Sequence, residues 1–336
     1  MRTRITAGLA FVLGGLSLLA AGPAPVAAQD KSKAAPKFLY GHDVRVRSGG
    51  NKYFDEKTPR VAVEVFQDEA SGTIVAITEA GQIAALPAAP LGAEKACKWL
   101  TAHDLKVRKS GEAEFTQKTK VYGVELFRDT ATNRLLYVCE SGSLAFAPVP
   151  ANLVTDKGPK WHHGLEPKVR GPEQPAFENA KKIGLEVFKD ENTGGLIYIT
   201  ESGAIATAAA PATAPDANKV ARPETMYGLV LRVRAADELD FSTNTKRVGI
   251  EVFQDPNAGV MLYISQTGHI ATAPLTGKLR EEKGVTWKGA MNLKARKAGE
   301  TDFEKAKKFG VEVFQDNRTG NLVLIAENGS IAVVSK

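Results

Sequence analysis

Five carboxylates recur in one sequence context. The string VEVFQD at Val63 to Asp68 returns as VELFRD from Val124, LEVFKD from Leu185, IEVFQD from Ile250 and VEVFQD from Val311, which sets Glu64, Glu125, Glu186, Glu251 and Glu312 at steps of 61, 61, 65 and 61 residues. Arginines keep almost the same beat, with Arg47, Arg108, Arg170, Arg234 and Arg296 stepping by 61, 62, 64 and 62. A glutamate among valine, leucine, isoleucine and phenylalanine is costly to bury alone, and a guanidinium is the cation best shaped to grip both carboxylate oxygens. The spacing within each copy therefore predicts structural pairs Arg47–Glu64, Arg108–Glu125, Arg170–Glu186, Arg234–Glu251 and Arg296–Glu312. The competing reading is a ring of carboxylates around a ligand channel, but catalysis seldom needs five equivalent acids.

Aromatic residues stand nine positions before four of the arginines: Phe38, Trp99, Trp161 and Trp287, with Thr225 in the fourth copy. Indoles repeated in this way suit stacking on sugar rings, so these four are the candidate ligand-binding residues; packing between elements competes, because large aromatics dominate such contacts. A phenylalanine follows each arginine by seven residues: Phe54, Phe115, Phe177, Phe241 and Phe303. Basic residues also recur, at Arg60, Lys120, Lys181 with Lys182, Lys246 with Arg247, and Lys307 with Lys308. They read as a solvated face or, more sharply, as multivalent attraction to an anionic polymer.

The remaining chemistry-bearing residues are sparse. Asp68, Asp129, Asp190, Asp255 and Asp316 each open a turn, and only Asp190-Asn192-Gly194 has a trace of a calcium loop, so turn capping is the expected role. His42 and His103 share a repeat position that Leu165, Leu229 and Met291 occupy elsewhere, which excludes a repeated metal site. The two cysteines, Cys97 and Cys139, fall in one repeat; a disulfide between them competes with plain packing of Cys139. No HExxH, GxSxG, phosphate loop or CxxC occurs, so neither a metal nor a cofactor is expected.

The elements that must position these residues alternate as strands do. In the first copy His42–Arg47, Val61–Gln67, Thr73–Thr78 and Gln82–Leu86 are four short alternating runs, the last two joined by a tight turn at Ala80-Gly81. A polar segment between the first and second runs, such as Glu300–Lys308, has room for one helical turn. Five such copies, 38–89, 99–150, 161–212, 225–276 and 287–336, predict an all-β chain of five four-stranded antiparallel repeats of about 61 residues, closed as a five-bladed β-propeller. A string of small β-domains is the alternative, disfavoured because about 48 ordered residues make a poor independent core.

The chain has 336 residues with 44 Lys plus Arg against 38 Asp plus Glu, too mild a balance for a nucleic-acid binder. Arg2 and Arg4, the apolar run Ile5–Ala21 and the small residues Val26-Ala27-Ala28 read as a signal peptide, residues 1–28, with cleavage favoured over a retained anchor because Pro23 and Pro25 follow. Residues 29–37 form a short extension, 38–336 the single repeat domain, and no later run is long enough to span a membrane. The expected protein is extracytoplasmic and non-catalytic. It is a multivalent module for a glycan, another cell-surface polymer or a protein partner; the alternatives are a structural envelope component and a glycoside-active propeller enzyme.

Overall fold

Strands arise here because both faces of the VEVFQD run have something to bury. Val63 and Val65 point one way and Glu64 and Phe66 the other, and all four are buried. The computed structural model describes residues 35–211, 220–275 and 277–335; the expected signal peptide lies outside them.

Blade 1 is β1 (Lys37–Arg45), β2 (Arg60–Asp68), β3 (Thr73–Thr78) and β4 (Ile83–Pro87), and blade 2 is β5 (Cys97–Val107), β6 (Lys120–Asp129), β7 (Arg134–Cys139) and β8 (Leu144–Pro148). Blade 3 is β9 (Pro159–Leu165), β12 (Leu185–Asp190), β13 (Leu196–Thr200) and β14 (Ile205–Ala208), with a separate short pair β10 (Lys168–Val169) and β11 (Lys181–Lys182). Pro167 accounts for that break, since it cannot donate to a ladder. Blade 4 is β15 (Glu224–Val233), β16 (Lys246–Asp255), β17 (Val260–Ser265) and β18 (Ile270–Pro274); blade 5 is β19 (Val285–Ala295), β20 (Lys307–Asp316), β21 (Leu322–Ala326) and β22 (Ile331–Val334). Each blade is an antiparallel meander built from one repeat.

The fourth strands touch one another in a closed cycle: β4 meets β8, β8 meets β14, β14 meets β18, β18 meets β22, and β22 returns to β4. Five blades therefore close into a β-propeller with the fourth strands innermost and the first strands outermost. No charged residue occurs in the inner strands, whose sequences run IAALP, LAFAP, IATA, IATAP and IAVV. Their hydroxyls tie them together, Thr207 donating to the Phe146 carbonyl at 2.7 Å and Thr272 to the Thr207 carbonyl at 2.6 Å.

The apolar cores lie between blades. Val63, Val65 and Ala76 of blade 1 pack with Phe127, Leu136 and Val138 of blade 2, and the same exchange recurs at each junction, including Phe66 of blade 1 with Val311, Val313 and Leu324 of blade 5. A single blade thus has no core of its own.

Two local expectations change. The outer strands start earlier than the alternation suggests, because a β-bulge recurs between Phe38 and Tyr40, Trp99 and Thr101, Trp161 and His163, Thr225 and Tyr227, and Trp287 and Gly289. One extra residue there hides the alternation from the sequence. The polar segments between first and second strands hold turns and no helix among the described residues. The turns at Gly81, Gly142, Gly203, Gly268 and Gly329 do adopt positive φ, from 77° to 94°.

Because the cores are shared, deleting residues 285–336 should abolish cooperative unfolding of the other four repeats, read by near-ultraviolet circular dichroism in a urea titration. Four repeats that keep a native-like transition would show instead that blades fold singly.

Candidate functional site

Each recurring arginine reaches across a blade boundary. Arg47 pairs with Glu125, Arg108 with Glu186, Arg170 with Glu251, Arg234 with Glu312 and Arg296 with Glu64, the Nε to Oε1 distances being 2.6–2.7 Å. This corrects the partners expected from spacing: Arg47–Glu64, Arg108–Glu125, Arg170–Glu186, Arg234–Glu251 and Arg296–Glu312 do not form. The reason is directional. The arginine follows the end of its outer strand, while the glutamate faces the preceding blade, so an arginine meets the glutamate of the next blade. The glutamates are buried at these seams and line no channel.

The latch holds more than two residues. Trp99 Nε1 donates to Glu125 Oε2 at 2.6 Å, and Trp161 and Trp287 donate to Glu186 and Glu312 at 2.7 Å. The phenylalanine seven residues after each arginine stacks beneath its guanidinium, with ring centroids 4.3–5.3 Å from Cζ. The free edge of the guanidinium donates to carbonyls of its own loop, such as Arg108 Nη1 to Ala113 O at 2.6 Å. Small residues make the room: opposite the glutamates stand Gly41, Ala102, Gly164, Gly228 and Ala290, and a Cβ on Gly164 would lie 2.2 Å from Arg108 Nη2.

The aromatic candidates sit on these latches at the outer strands. Trp99 and Trp161 are 49% and 47% exposed and Phe38 41%, while Trp287 is half-buried. Phe54 meets Trp99 edge to face at 5.8 Å and 80°, Phe115 meets Trp161 at 5.9 Å and 87°, Phe241 meets Trp287 at 6.2 Å and 82°, and Phe303 meets Phe38 at 4.6 Å and 63°. Four of five seams thus carry an aromatic corner fixed by a buried ion pair, and in three of them at least one ring of the corner is exposed. A shallow recess of about 330 Å³ lies beside one of them, lined by Arg108, Gly111, Glu112, Gly164, Glu166 and Glu186.

A second carboxylate at four of the five seams was legible and missed. Glu140 Oε2 accepts from Gly49 N, Glu201 from Ser110 N, Glu327 from Ala236 N and Glu79 from Ala298 N, at 2.7–2.8 Å, always across a seam. The fifth member is Gln266, which faces blade 3, where Pro172 has no N–H to give. The recurrence of Glu79, Glu140, Glu201 and Glu327 at the repeat spacing was the signal.

The aspartates do more than cap turns. Asp190 accepts from Asn192 N in its own loop and from Tyr137 of the preceding blade at 2.6 Å; Tyr198 serves Asp255, Tyr263 and Tyr227 serve Asp316, and Tyr40 serves Asp129. His42, His103 and His163 approach Asp129, Asp190 and Asp255 at 3.9, 3.4 and 3.1 Å. Burial works to raise the Asp190 carboxyl, but His103, Tyr137 and Asn192 outweigh it and hold it below its usual value; Asp129 and Asp255 are lowered likewise by His42 and His163. No cluster of three metal-ligating side chains occurs among the described residues.

Cys97 and Cys139 are both free, so of the two readings open for them the disulfide does not form, and Cys139 is buried. Cys97 pairs with Asp129 and Cys139 with Val124, so the two are five residues apart along β6, or about 16 Å, beyond disulfide reach. Burial pushes their thiols up to about 12 and 11. The basic residues are exposed, and four blades set two opposite each other, as Arg45 with Arg60 and Arg232 with Arg247. Acids on the preceding loop answer some of them: Glu173 meets Arg247 at 3.2 Å and Asp237 meets Lys308 at 2.9 Å.

The described residues include no helix long and apolar enough to cross a membrane. No protein-family model and no curated protein matches the chain. Among solved structures, a catalytically inactive virginiamycin B lyase from Staphylococcus aureus with quinupristin shares 12% identity over 89% of this chain and 75% of that one, at a TM-score of 0.13. A selenomethionine-substituted virginiamycin B lyase from the same organism shares 11% over 89% of each, at 0.11. Overlaps this low carry no argument about function, and the fold stands on sheet order and strand register.

Two measurements follow from the seams. A double-mutant cycle of Arg108→Met with Glu186→Gln should give a coupling energy of about 1–3 kcal/mol, and Arg170→Met with Glu186→Gln close to zero; the reverse would restore pairing within a blade. Burial also lowers His269 from 6.5 to about 4, so the folded state resists its protonation. A depressed histidine contributes full stability above its unfolded value, and that stability is lost as pH falls from about 6.5 towards 4. His269→Gln should flatten the fall in melting temperature across that window, whereas the depressed aspartates act only below their ordinary value of 3.8.

Proposed function

We propose that this chain is an exported, non-catalytic propeller that binds an extended carbohydrate polymer at several equivalent seams of its rim. The observation that carries the reading is the set of aromatic corners on the rim, Phe54 with Trp99, Phe115 with Trp161 and Phe303 with Phe38, each with an exposed ring, and the half-buried Phe241 with Trp287. Large aromatic rings usually find cover. Here Phe38, Phe54, Trp99, Phe115 and Trp161 stand open to solvent while a buried carboxylate fixes each of the three indoles, so stacking a sugar face on them costs little ordering. Individually weak sites around a rim hold a polymer through high effective concentration. Export is supported by the leader-like residues 1–28.

The chain has only three tryptophans, and all three are at these corners, so tryptophan fluorescence, excited selectively, reports on them alone. A binding polysaccharide should shift the emission to the blue and protect it from acrylamide quenching. Trp161→Ala should weaken polymer binding several-fold, and the triple change at Trp99, Trp161 and Trp287 should abolish it, with melting curves confirming that each variant folds. A polymer retained undiminished by the folded triple variant would remove the tryptophans from the binding surface.

A further inference from the structure

One seam is built like the others but lacks its ring. Between blades 3 and 4, Arg170 Nε meets Glu251 Oε1 at 2.6 Å and Nη2 meets Oε2 at 3.3 Å; the Phe177 ring lies 4.3 Å from Cζ, and Arg170 Nη1 donates to Pro175 O at 3.1 Å. The backbone also repeats. Thr225 pairs with Phe253 just before the β-bulge, as Trp161 pairs with Phe188 before its own. Where Trp161 gives its indole N–H to Glu186 Oε2 and its edge to Phe115, Thr225 supplies neither ring nor N–H. Among the described residues no aromatic ring contacts Phe177, and the connector from residue 208 to 223 contains no aromatic residue.

The consequence is visible in exposure. The Arg170 side chain is 24% accessible, against 12–18% for the four other latch arginines. Glu251 is as buried as its counterparts, and its Oε2, like that of Glu64 beside Phe38, receives only the longer of two bonds from its arginine, whereas Glu125, Glu186 and Glu312 each accept a further bond from an indole. Gln266 replaces the glutamate of the other four seams, and Val230, 43% exposed, stands where Asp43, Asp104 and Glu166 stand in blades 1 to 3, the acid here being Glu173 on the facing loop.

We infer that the seam between blades 3 and 4 is an open receptor for an indole ring supplied from outside the chain. The molecule itself specifies the ligand three times: a flat apolar ring that donates an N–H to the outer oxygen of the latch glutamate, lies beside the arginine and presents an edge to the phenylalanine. Such a ring satisfies Glu251 Oε2 with a charge-assisted hydrogen bond and covers Phe177 and Arg170. A tryptophan side chain of a partner polypeptide and a free indole share this chemistry. The inference is independent of the carbohydrate reading, which concerns the four filled corners.

Titration of the full chain with N-acetyl-L-tryptophanamide and with indole, followed by nitrogen-15 NMR, tests it. Saturable shifts are expected at Arg170 Nε–H and at the Thr225 amide. N-acetyl-L-phenylalaninamide, which has a ring but no ring N–H, should bind at least about tenfold more weakly, or about 1.4 kcal/mol. Thr225→Trp should fill the site in cis, raise the melting temperature and abolish binding of both probes, while Thr225→Ala leaves it intact. Binding of both probes assigns the site to a polypeptide-borne side chain, and binding of indole alone to a small molecule. Absence of shifts up to the solubility limit, equal binding of the phenylalanine probe, or undiminished binding by folded Thr225→Trp would each overturn the inference.

Discussion

A buried glutamate that cannot be neutralised within its own blade governs this structure. Each of the five carboxylates lies in the middle of a central strand, with its countercharge on the preceding blade. Leaving one unpaired costs about 3–5 kcal/mol, a large share of the stability of an ordinary domain. The apolar cores obey the same logic, because each joins the valine face of one blade to the phenylalanine face of the next. Charge and hydrophobic burial both demand a neighbour on each side, and a ring is the arrangement in which every blade has two.

Five copies of one unit act as an internal record of which contacts must agree. Pro172 removes an N–H and the facing position becomes Gln266. Gly50, Gly111 and Gly299 donate their N–H groups to Asp104, Glu166 and Asp43, but where the loop itself carries an acid, Glu173 or Asp237, the facing residue is Val230 or Asn292. Blade 2, which faces the loop of Gly50 and Asn51, has Val121 opposite Lys106 where the other blades set two basic residues opposite each other. Arg247 and Lys308 are answered by Glu173 and Asp237 on the facing loops, so part of the recurring basic character is structural complement. Four of the positions that depart from the common pattern, Thr225, Val230, Pro172 and Gln266, gather at one seam.

How far the sequence could be read follows from these contacts. Strand number, strand order and closure were legible because alternation and repetition report on burial of faces, and both faces of VEVFQD are buried. The partner of each arginine was not, since in a periodic chain the separation from an arginine to its own glutamate is as constant as that to the next, and periodicity alone gives no lateral direction. The bulge before Tyr40 and its equivalents hid the length of the outer strands. The indole to carboxylate bonds were within reach, because Trp99, Trp161 and Trp287 precede their acceptors by 26, 25 and 25 residues. Tyr137, Tyr198 and Tyr263 also recur at one position of the third strand, and their aspartates recur too.

Closure by a side-chain pair has a temporal side. Four latches join residues 78 or 81 apart, but the fifth, Arg296 with Glu64, spans 232. The added chain-entropy cost of that contact is modest, about 1 kcal/mol for a threefold longer loop. Its order is the larger matter. As the polypeptide emerges from its amino end, Glu64 is among the first latch residues made and its arginine is the last of the five, so the opening blade spends nearly the whole of synthesis with one face bare and one carboxylate uncompensated. Nucleation is free to begin at any interior seam, whereas the final seam sets the moment at which the molecule stops presenting sticky strands to its surroundings.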